Sequence, residues 1–162
     1  MIYHISLAVN NPFHVAKVIA ELWQGRAIPF PDRPGSYFTI SLDQYGTAIA
    51  FMPKGTVLEP GSSLESVRFS NRNPDATGYT ATHVNIAVPI SEAQIYEIAD
   101  REGWRAVRCK HGDLELIEFW VENEILLELL PPTLMEQYLV MVQPENLKAF
   151  EPIQTDKEHS YG

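Results

Sequence analysis

The sequence predicts an α+β protein made of two consecutive copies of one βαβββ module. Two pairs of matching segments carry this prediction. Residues 3–9, Tyr-His-Ile-Ser-Leu-Ala-Val, match residues 82–88, Thr-His-Val-Asn-Ile-Ala-Val, at an offset of 79. Residues 49–53 match residues 127–131 at an offset of 78, so both matches come from one internal repeat.

The first module is predicted over residues 1–53 and opens with the strand that carries His4. Asn11 is a plausible helix N-cap with Pro12 in the first turn, and apolar residues then recur at helical spacing until Gly25. Turn signals separate three further strands, at about residues 26–30, 36–43 and 47–53.

The second module is predicted over residues 79–132 and repeats this order. Ser91 and Gln94 form a capping box at the start of its helix, and Gly103 ends it. Three strands follow, at about residues 104–111, 114–121 and 124–130.

Two segments lie outside the modules in what is predicted to be one structural domain. Residues 54–78 are rich in Gly, Pro and Asn and form either a surface connector or a lid, with Arg68 or Arg72 placed to meet an anionic substrate. Residues 133–162 are predicted to give a C-terminal helix, ended by Pro144, and a polar tail.

Composition limits the class of protein. The chain has 162 residues, 45% of them hydrophobic, and a net charge of −9, which argues against a nucleic-acid partner. Cys109 is the only cysteine, so no internal disulfide forms; it is interpreted as a small apolar strand residue. No apolar run reaches membrane-spanning length, and a cytoplasmic location is expected.

Strand alternation sorts the matching segments into two faces. One face is bulky and apolar, and we expect it to form the core under the helices: Ile5, Leu7, Val9, Ile49, Phe51, Val84, Ile86, Val88, Leu127 and Leu129. The other face is smaller and carries the polar residues, including His4, Ser6, Ala50, His83, Asn85 and Glu128. Burying an unpaired carboxylate there would cost several kcal/mol, whereas a cavity that holds a cation would offset this cost.

Two imidazoles and one carboxylate at repeat-related positions predict a divalent metal bound by His4, His83 and Glu128. A single strand histidine is more often an ordinary hydrogen-bonded residue, so the prediction depends on the three together. His14, His111 and His159 are expected on a helix face, in a turn and in the tail, without partners of matching geometry.

With these motifs the chain resembles the vicinal oxygen chelate superfamily, also called the glyoxalase/bleomycin resistance/dioxygenase group, over residues 1 to about 132. The resemblance implies a cupped eight-stranded sheet around a divalent Fe, Mn, Ni or Zn ion, with ligands His4, His83 and Glu128, and frequent homodimers. Members with a fourth protein ligand carry a carboxylate on the fourth strand, where this chain has Ala50. That departure disfavours glyoxalase I and the epimerases of the family.

Such a site leaves about three coordination positions open, so that a substrate can chelate the metal through two vicinal oxygens. Ser6, Asn85 and Ala50 are the candidate substrate contacts. No role is assigned to four residues on the remaining strands, because the sequence does not show which face of the sheet they occupy: Glu118, Trp120, Tyr37 and Arg108. The leading hypothesis is a metal-dependent enzyme acting on a small oxygen-rich metabolite, with extradiol-dioxygenase chemistry ahead of glyoxalase-like lyase or thiol-transferase chemistry. The alternatives are a metal-free drug-binding or resistance protein, and a scaffold whose site only stabilises the fold.

Overall fold

The structure is a computed structural model that describes residues 2–31, 33–60, 62, 66–71, 73–111 and 114–147. Arg72, His159 and the predicted tail at residues 155–162 lie outside the described residues, so the expectations placed on them stay predictions.

The first module has the predicted order of elements. It consists of strand β1 (His4–Val9), helix α1 (Pro12–Trp23), and strands β2 (Arg26–Pro29), β3 (Tyr37–Ile40) and β4 (Ala48–Pro53). These strands form a four-stranded sheet in the order β1-β4-β3-β2. Strand β1 is parallel to β4, and the other two pairs are antiparallel.

A short hairpin follows the first module. Strands β5 (Thr56–Glu59) and β6 (Arg68–Asn71) pair antiparallel as a separate two-stranded sheet. The sequence interpretation treated residues 54–78 only as a connector or lid, so these two strands were missed.

The second module repeats the first. Strand β7 (Val84–Ala87), helix α2 (Glu92–Glu102), and strands β8 (Ala106–His111), β9 (Leu114–Val121) and β10 (Ile125–Leu130) form a sheet in the order β7-β10-β9-β8. The βαβββ prediction is therefore confirmed in both copies. The eight module strands form two four-stranded sheets, one from each module.

The strand register confirms the alignment of the two copies. Ser6 on β1 pairs with Ala50 on β4. Asn85 on β7 pairs with Glu128 on β10. Ala50 is thus the structural counterpart of Glu128, as the repeat predicts.

The predicted helix caps are present. The Asn11 side chain accepts a hydrogen bond from the backbone N–H of His14, and the Ser91–Gln94 capping box is complete. Helix α1 ends at Trp23, and its C-cap is Gln24, whose φ of 50° is left-handed, one residue before the predicted stop at Gly25.

Up to residue 147, where the described residues end, two helices follow the second module: α3 (Pro132–Met141) and the single-turn α4 (Pro144–Leu147). Pro144 was expected only to end the C-terminal helix, and it instead opens α4, where the fixed φ of proline suits a first helical turn. None of the helices in the described part of the chain is both long and apolar enough to cross a membrane.

The apolar faces of both sheets pack against the helices as predicted. Leu7, Val9, Ile49 and Phe51 from the first sheet belong to the same buried cluster as residues of the second sheet, among them Ile86, Val88, Leu127 and Leu129. Ile5 and Val84, at the starts of their strands, are only partly buried. The core thus runs through both modules.

Polar contacts also join the modules through α1 and α2. The Trp23 indole N–H donates to the backbone oxygen of Ala87 at 3.0 Å. Arg101 on α2 forms an ion pair with Glu21 on α1 at 2.7 Å. The modules therefore meet on the helix side of their sheets, away from the faces that carry His4 and His83.

Glu122 ties the turn before β10 to the start of α1. Its two carboxylate oxygens accept the backbone N–H groups of Asn10 and Asn11 at 2.6 and 2.7 Å. These donors precede the first turn of α1, where a negative charge is favoured by the helix dipole.

We expect Glu122→Gln to lower the free energy of unfolding by about 1–2 kcal/mol, because an amide offers one acceptor oxygen and no charge in place of two charge-assisted acceptors. Chemical denaturation of both proteins measures the difference. The matched control is Glu97→Gln on the exposed face of α2, which should change the free energy by less than about 0.5 kcal/mol. Equal stabilities of Glu122→Gln and the control would contradict the role given to Glu122.

Candidate metal centre

The predicted ligands and substrate contacts fall into two groups, one on each sheet. The first half-site comprises His4, Ser6 and Ala50 on β1 and β4. The second half-site comprises His83, immediately before β7, with Asn85 on β7 and Glu128 on β10.

Aromatic side chains pack beside the first half-site. The His4 and Phe38 rings are nearly perpendicular, with their centroids 5.8 Å apart, and Phe38 in turn contacts Phe30. His4 and Ser6 are exposed, whereas Ala50, which pairs with Phe38 on β3, is fully buried at 0% exposure. The side chain of Ala50 is therefore not accessible to solvent beside His4.

The second half-site has its ligand groups oriented. Nδ1 of His83 lies 2.9 Å from the backbone oxygen of Ala81, and because a carbonyl only accepts, Nδ1 is the donor here and Nε2 is the ring nitrogen left free to face a metal. The Asn85 amide donates to Oε2 of Glu128 at 3.3 Å. Such outer contacts are typical of metal ligands, whose orientation they hold.

His4, His83 and Glu128 do not form one group of ligand atoms within the described chain. Among the described residues, the three side chains with ligand atoms close enough to share an ion are Cys109, His111 and Glu118, and no such group contains His4, His83 or Glu128. The assignment of the metal to these three residues stays a prediction, and it requires the two sheet faces to come together.

The expectation that the polar face lines a cavity is corrected for β1 and β7. Ser6 and Ala8 on β1 and Asn85 and Ala87 on β7 are exposed, so their faces are open surfaces in a single chain. The cost of burying unpaired polar groups, which motivated the cavity, does not arise while the faces are open.

A cleft of about 410 Å³ opens beside His83 on the second sheet. Its walls are mostly apolar and include two aromatic side chains, Tyr79 and Trp120, together with Leu126. The Trp120 indole N–H donates to Glu118 at 3.1 Å, which holds the ring in place. This cleft is large enough for a small planar molecule next to the predicted ligand.

The structure shows which face of the second sheet is occupied by two residues that the sequence left unassigned, Glu118 and Arg108. Glu118 pairs directly with Glu128 and so lies on the same face of the second sheet. Hydrogen bonds from Trp120 and Arg105 hold the pKa of Glu118 below its usual value, against a smaller opposing effect of burial. Arg108 lies on the opposite face in ion pairs with Glu92 and Glu115.

Two of the histidines left out of the predicted metal site have carboxylate neighbours. His14 lies on α1, as expected, with its Nε2 2.5 Å from Glu102. His111 was expected in a turn and instead ends β8, with its Nε2 3.5 Å from Glu118. Alternation alone places residues 109 and 111 on one face of β8, and the β8–β9 register, which the sequence does not give, brings Glu118 onto that face. Arg68 is exposed on β6, and its lid role stays a prediction.

The chain is similar to known proteins in its structure but not detectably in its sequence. No family model and no curated protein matches the chain in sequence. The fosfomycin resistance protein FosX from Listeria monocytogenes, solved with Mn(II) and a sulfate ion, matches with a TM-score of 0.52 at 19% identity, over 86% of this chain and 96% of that chain. FosX from Mesorhizobium loti matches with a TM-score of 0.51 at 14% identity, over 85% of this chain and 97% of that chain.

The fold predicted from the repeat is therefore confirmed by solved structures of the same architecture. At these identities the likeness establishes the fold, and the reaction has to be argued from the residues. The chain has the paired βαβββ fold of the vicinal oxygen chelate superfamily.

Proposed function

We propose that this protein is a metal-dependent enzyme that acts on a small oxygen-rich metabolite. The observation that carries the proposal is the repeat-related placement of His4, His83 and Glu128 on the polar faces of two equivalent sheets. The fit of the donor set to a metal is supported by the second half-site, where both ligands have the outer hydrogen bonds that metal sites use.

The proposed active form is a homodimer in which the first half-site of one chain faces the second half-site of its partner. The exposed faces of β1 and β7 support this arrangement, because each presents a ligand histidine to the outside of its own chain. An isologous pair of chains brings both combinations together and gives two identical sites.

A divalent ion bound there would supply Lewis-acid chemistry to two neighbouring oxygens of the substrate. His4, His83 and Glu128 would hold that ion and leave room for a chelating substrate. Asn85 orients Glu128 and, with Ser6, offers hydrogen bonds to substrate oxygens. The buried methyl group of Ala50 occupies the place where a fourth ligand would otherwise stand.

The aromatic cleft beside His83 favours a planar substrate of the catechol type, and thus extradiol-dioxygenase chemistry. A second candidate is the opening of an epoxide, by water or a thiol, because the structural neighbours with the same fold are fosfomycin resistance proteins. A glyoxalase-like lyase and metal-free drug binding rank below these, and we place the enzyme in the cytoplasm without a nucleic-acid or membrane partner.

Manganese binding to untagged protein tests the proposal. We expect about one Mn²⁺ per chain in the wild type, and a loss of affinity of more than about 100-fold in His83→Ala, because one of three protein ligands is removed. His14→Ala is the matched control: it removes a histidine of α1 and should leave Mn²⁺ binding unchanged.

Turnover of a small substrate panel then separates the reaction classes. Oxygen uptake with catechols supports dioxygenase chemistry, and opening of epoxides without oxygen uptake supports the second candidate. Wild-type protein that binds no Mn²⁺, or that binds it equally well as His83→Ala, would contradict the proposal.

A further inference from the structure

A second group of potential metal ligands lies on β8 and β9. Cys109 and His111 are two residues apart on β8 and share one face, and Glu118 on β9 lies on that same face. The sulfur, nitrogen and oxygen ligand atoms of the three side chains all lie within 4.8 Å of one another. Nε2 of His111 is 3.5 Å from Oε1 of Glu118.

Glu118 is oriented as a ligand would be. Its Oε2 accepts hydrogen bonds from Nη1 of Arg105 at 3.0 Å and from the indole nitrogen of Trp120 at 3.1 Å. The other oxygen, Oε1, points towards His111. The Glu118 side chain is only 18% exposed, so these contacts hold it in place at the base of the hairpin.

The position of Glu118 also favours a cation. It pairs across the strands with Glu128, so two carboxylates lie on neighbouring strands of one face. Like charges placed directly opposite each other destabilise a sheet. Arg105 offsets part of this repulsion, and a bound cation between His111, Cys109 and Glu118 would offset more of it.

The donor types select the ion. A thiolate, an imidazole and a carboxylate together suit Zn²⁺, which binds them at about 2.3, 2.0–2.1 and 2.0–2.2 Å. A thiolate disfavours Mg²⁺, Ca²⁺ and Mn²⁺, which prefer oxygen ligands. The simple alternative is an exposed His111–Glu118 ion pair, which contributes little to stability, with the Cys109 thiol donating a hydrogen bond to the same carboxylate.

We propose that Cys109, His111 and Glu118 bind one Zn²⁺ ion, with a fourth coordination position open to water. The site uses none of the side chains His4, His83 and Glu128. Because His111 and Cys109 are partly exposed at one end of the β8–β9 hairpin, the ion can enter from solvent.

Cobalt binding tests this site, because Co²⁺ replaces Zn²⁺ and gives an intense near-ultraviolet charge-transfer band only when a thiolate coordinates it. Cys109 is the only cysteine in the chain, so the band has one possible origin. Titration of reduced, untagged protein with Co²⁺ should produce the band with a 1:1 end point, and Zn²⁺ should displace it.

The band should be absent in Cys109→Ser and should need at least about tenfold more Co²⁺ in His111→Ala and in Glu118→Gln. It should persist in His83→Ala, which lacks a ligand of the proposed catalytic metal. Conversely, Mn²⁺ binding should survive Cys109→Ser, so failure of one site is distinguishable from failure of the other.

Thermal unfolding of each variant confirms that it is folded before its spectrum is compared with wild type. A folded wild-type protein without the thiolate band at saturating Co²⁺ would overturn the proposal. So would a band whose Co²⁺ dependence is the same in wild type, His111→Ala and Glu118→Gln.

Discussion

A mixture of His4→Ala and Glu128→Ala chains is expected to recover the Mn²⁺ binding and turnover that each variant alone has lost. Each variant damages every site of its own homodimer. In a mixed dimer, the intact first half-site of one chain faces the intact second half-site of the other. Random exchange of chains should therefore restore about one quarter of the wild-type sites, since half the dimers are mixed and one of their two sites is complete.

The matched control mixes His83→Ala with Glu128→Ala. Both substitutions lie in the second half-site, on β10 and beside β7, so no mixed dimer contains a complete site. Mn²⁺ content after co-expression, with the dimers purified intact, gives the measurement without knowledge of the substrate. Recovery in the control mixture, or none in the test mixture of folded dimers, would show that the site is not shared in this way.

The repeat allowed much of the fold to be predicted, because each module has a clear two-residue alternation and clear helix caps. The apolar face of Leu7, Ile49 and Leu127 could be assigned from alternation alone, and these residues are buried. The equivalence of Ala50 and Glu128 was also predicted from the repeat, and the matching pairs Ser6–Ala50 and Asn85–Glu128 confirm it.

The elements that were missed lack such a signal. Strands β5 and β6 are short, with four residues each, and Leu58, Glu59 and Arg68 are exposed, so no buried apolar alternation distinguishes them from a connector. Their pairing depends on contact across a loop, which local propensity does not encode.

The position of the half-sites could not be predicted for a different reason. Strand alternation says which face a residue occupies within its own sheet, but not how two sheets are placed relative to each other. Cys109 and Glu118 show the same limit on a smaller scale: each is ordinary when taken alone, and they form a candidate site only when the β8–β9 register brings them together.

Among Gly→Ala substitutions at the glycines that the structure describes, Gly25→Ala is expected to cause the largest loss of stability. A Cβ atom at this position would lie 2.2 Å from the backbone oxygen of Ile40 and 3.1 Å from its carbonyl carbon. Neither atom can move freely, because Ile40 pairs with Arg26 on one side and Ala48 on the other. Relief of the overlap must therefore separate the end of α1 from β3.

That separation would also disturb buried contacts. Thr39, next to Ile40, donates its hydroxyl to the backbone oxygen of Ala16 on α1 at 2.7 Å and is fully buried. The combined cost of overpacking and of a weakened buried hydrogen bond is about 3 kcal/mol or more. For a chain of this length, such a loss corresponds to a fall in Tm of roughly 6–12 °C.

Gly46→Ala is the matched control, because a Cβ there meets no atom within 4 Å and only the positive φ of 66° opposes it. Its cost should be about 1 kcal/mol. Gly25→Ala should also affect the two sheets differently. It should shift Phe38 and the His4 ring that contacts it on the first sheet, while the thiolate–cobalt band of the second sheet persists in folded protein. Equal unfolding free energies for the two alanine variants would show that α1 and β3 do not approach each other closely at Gly25.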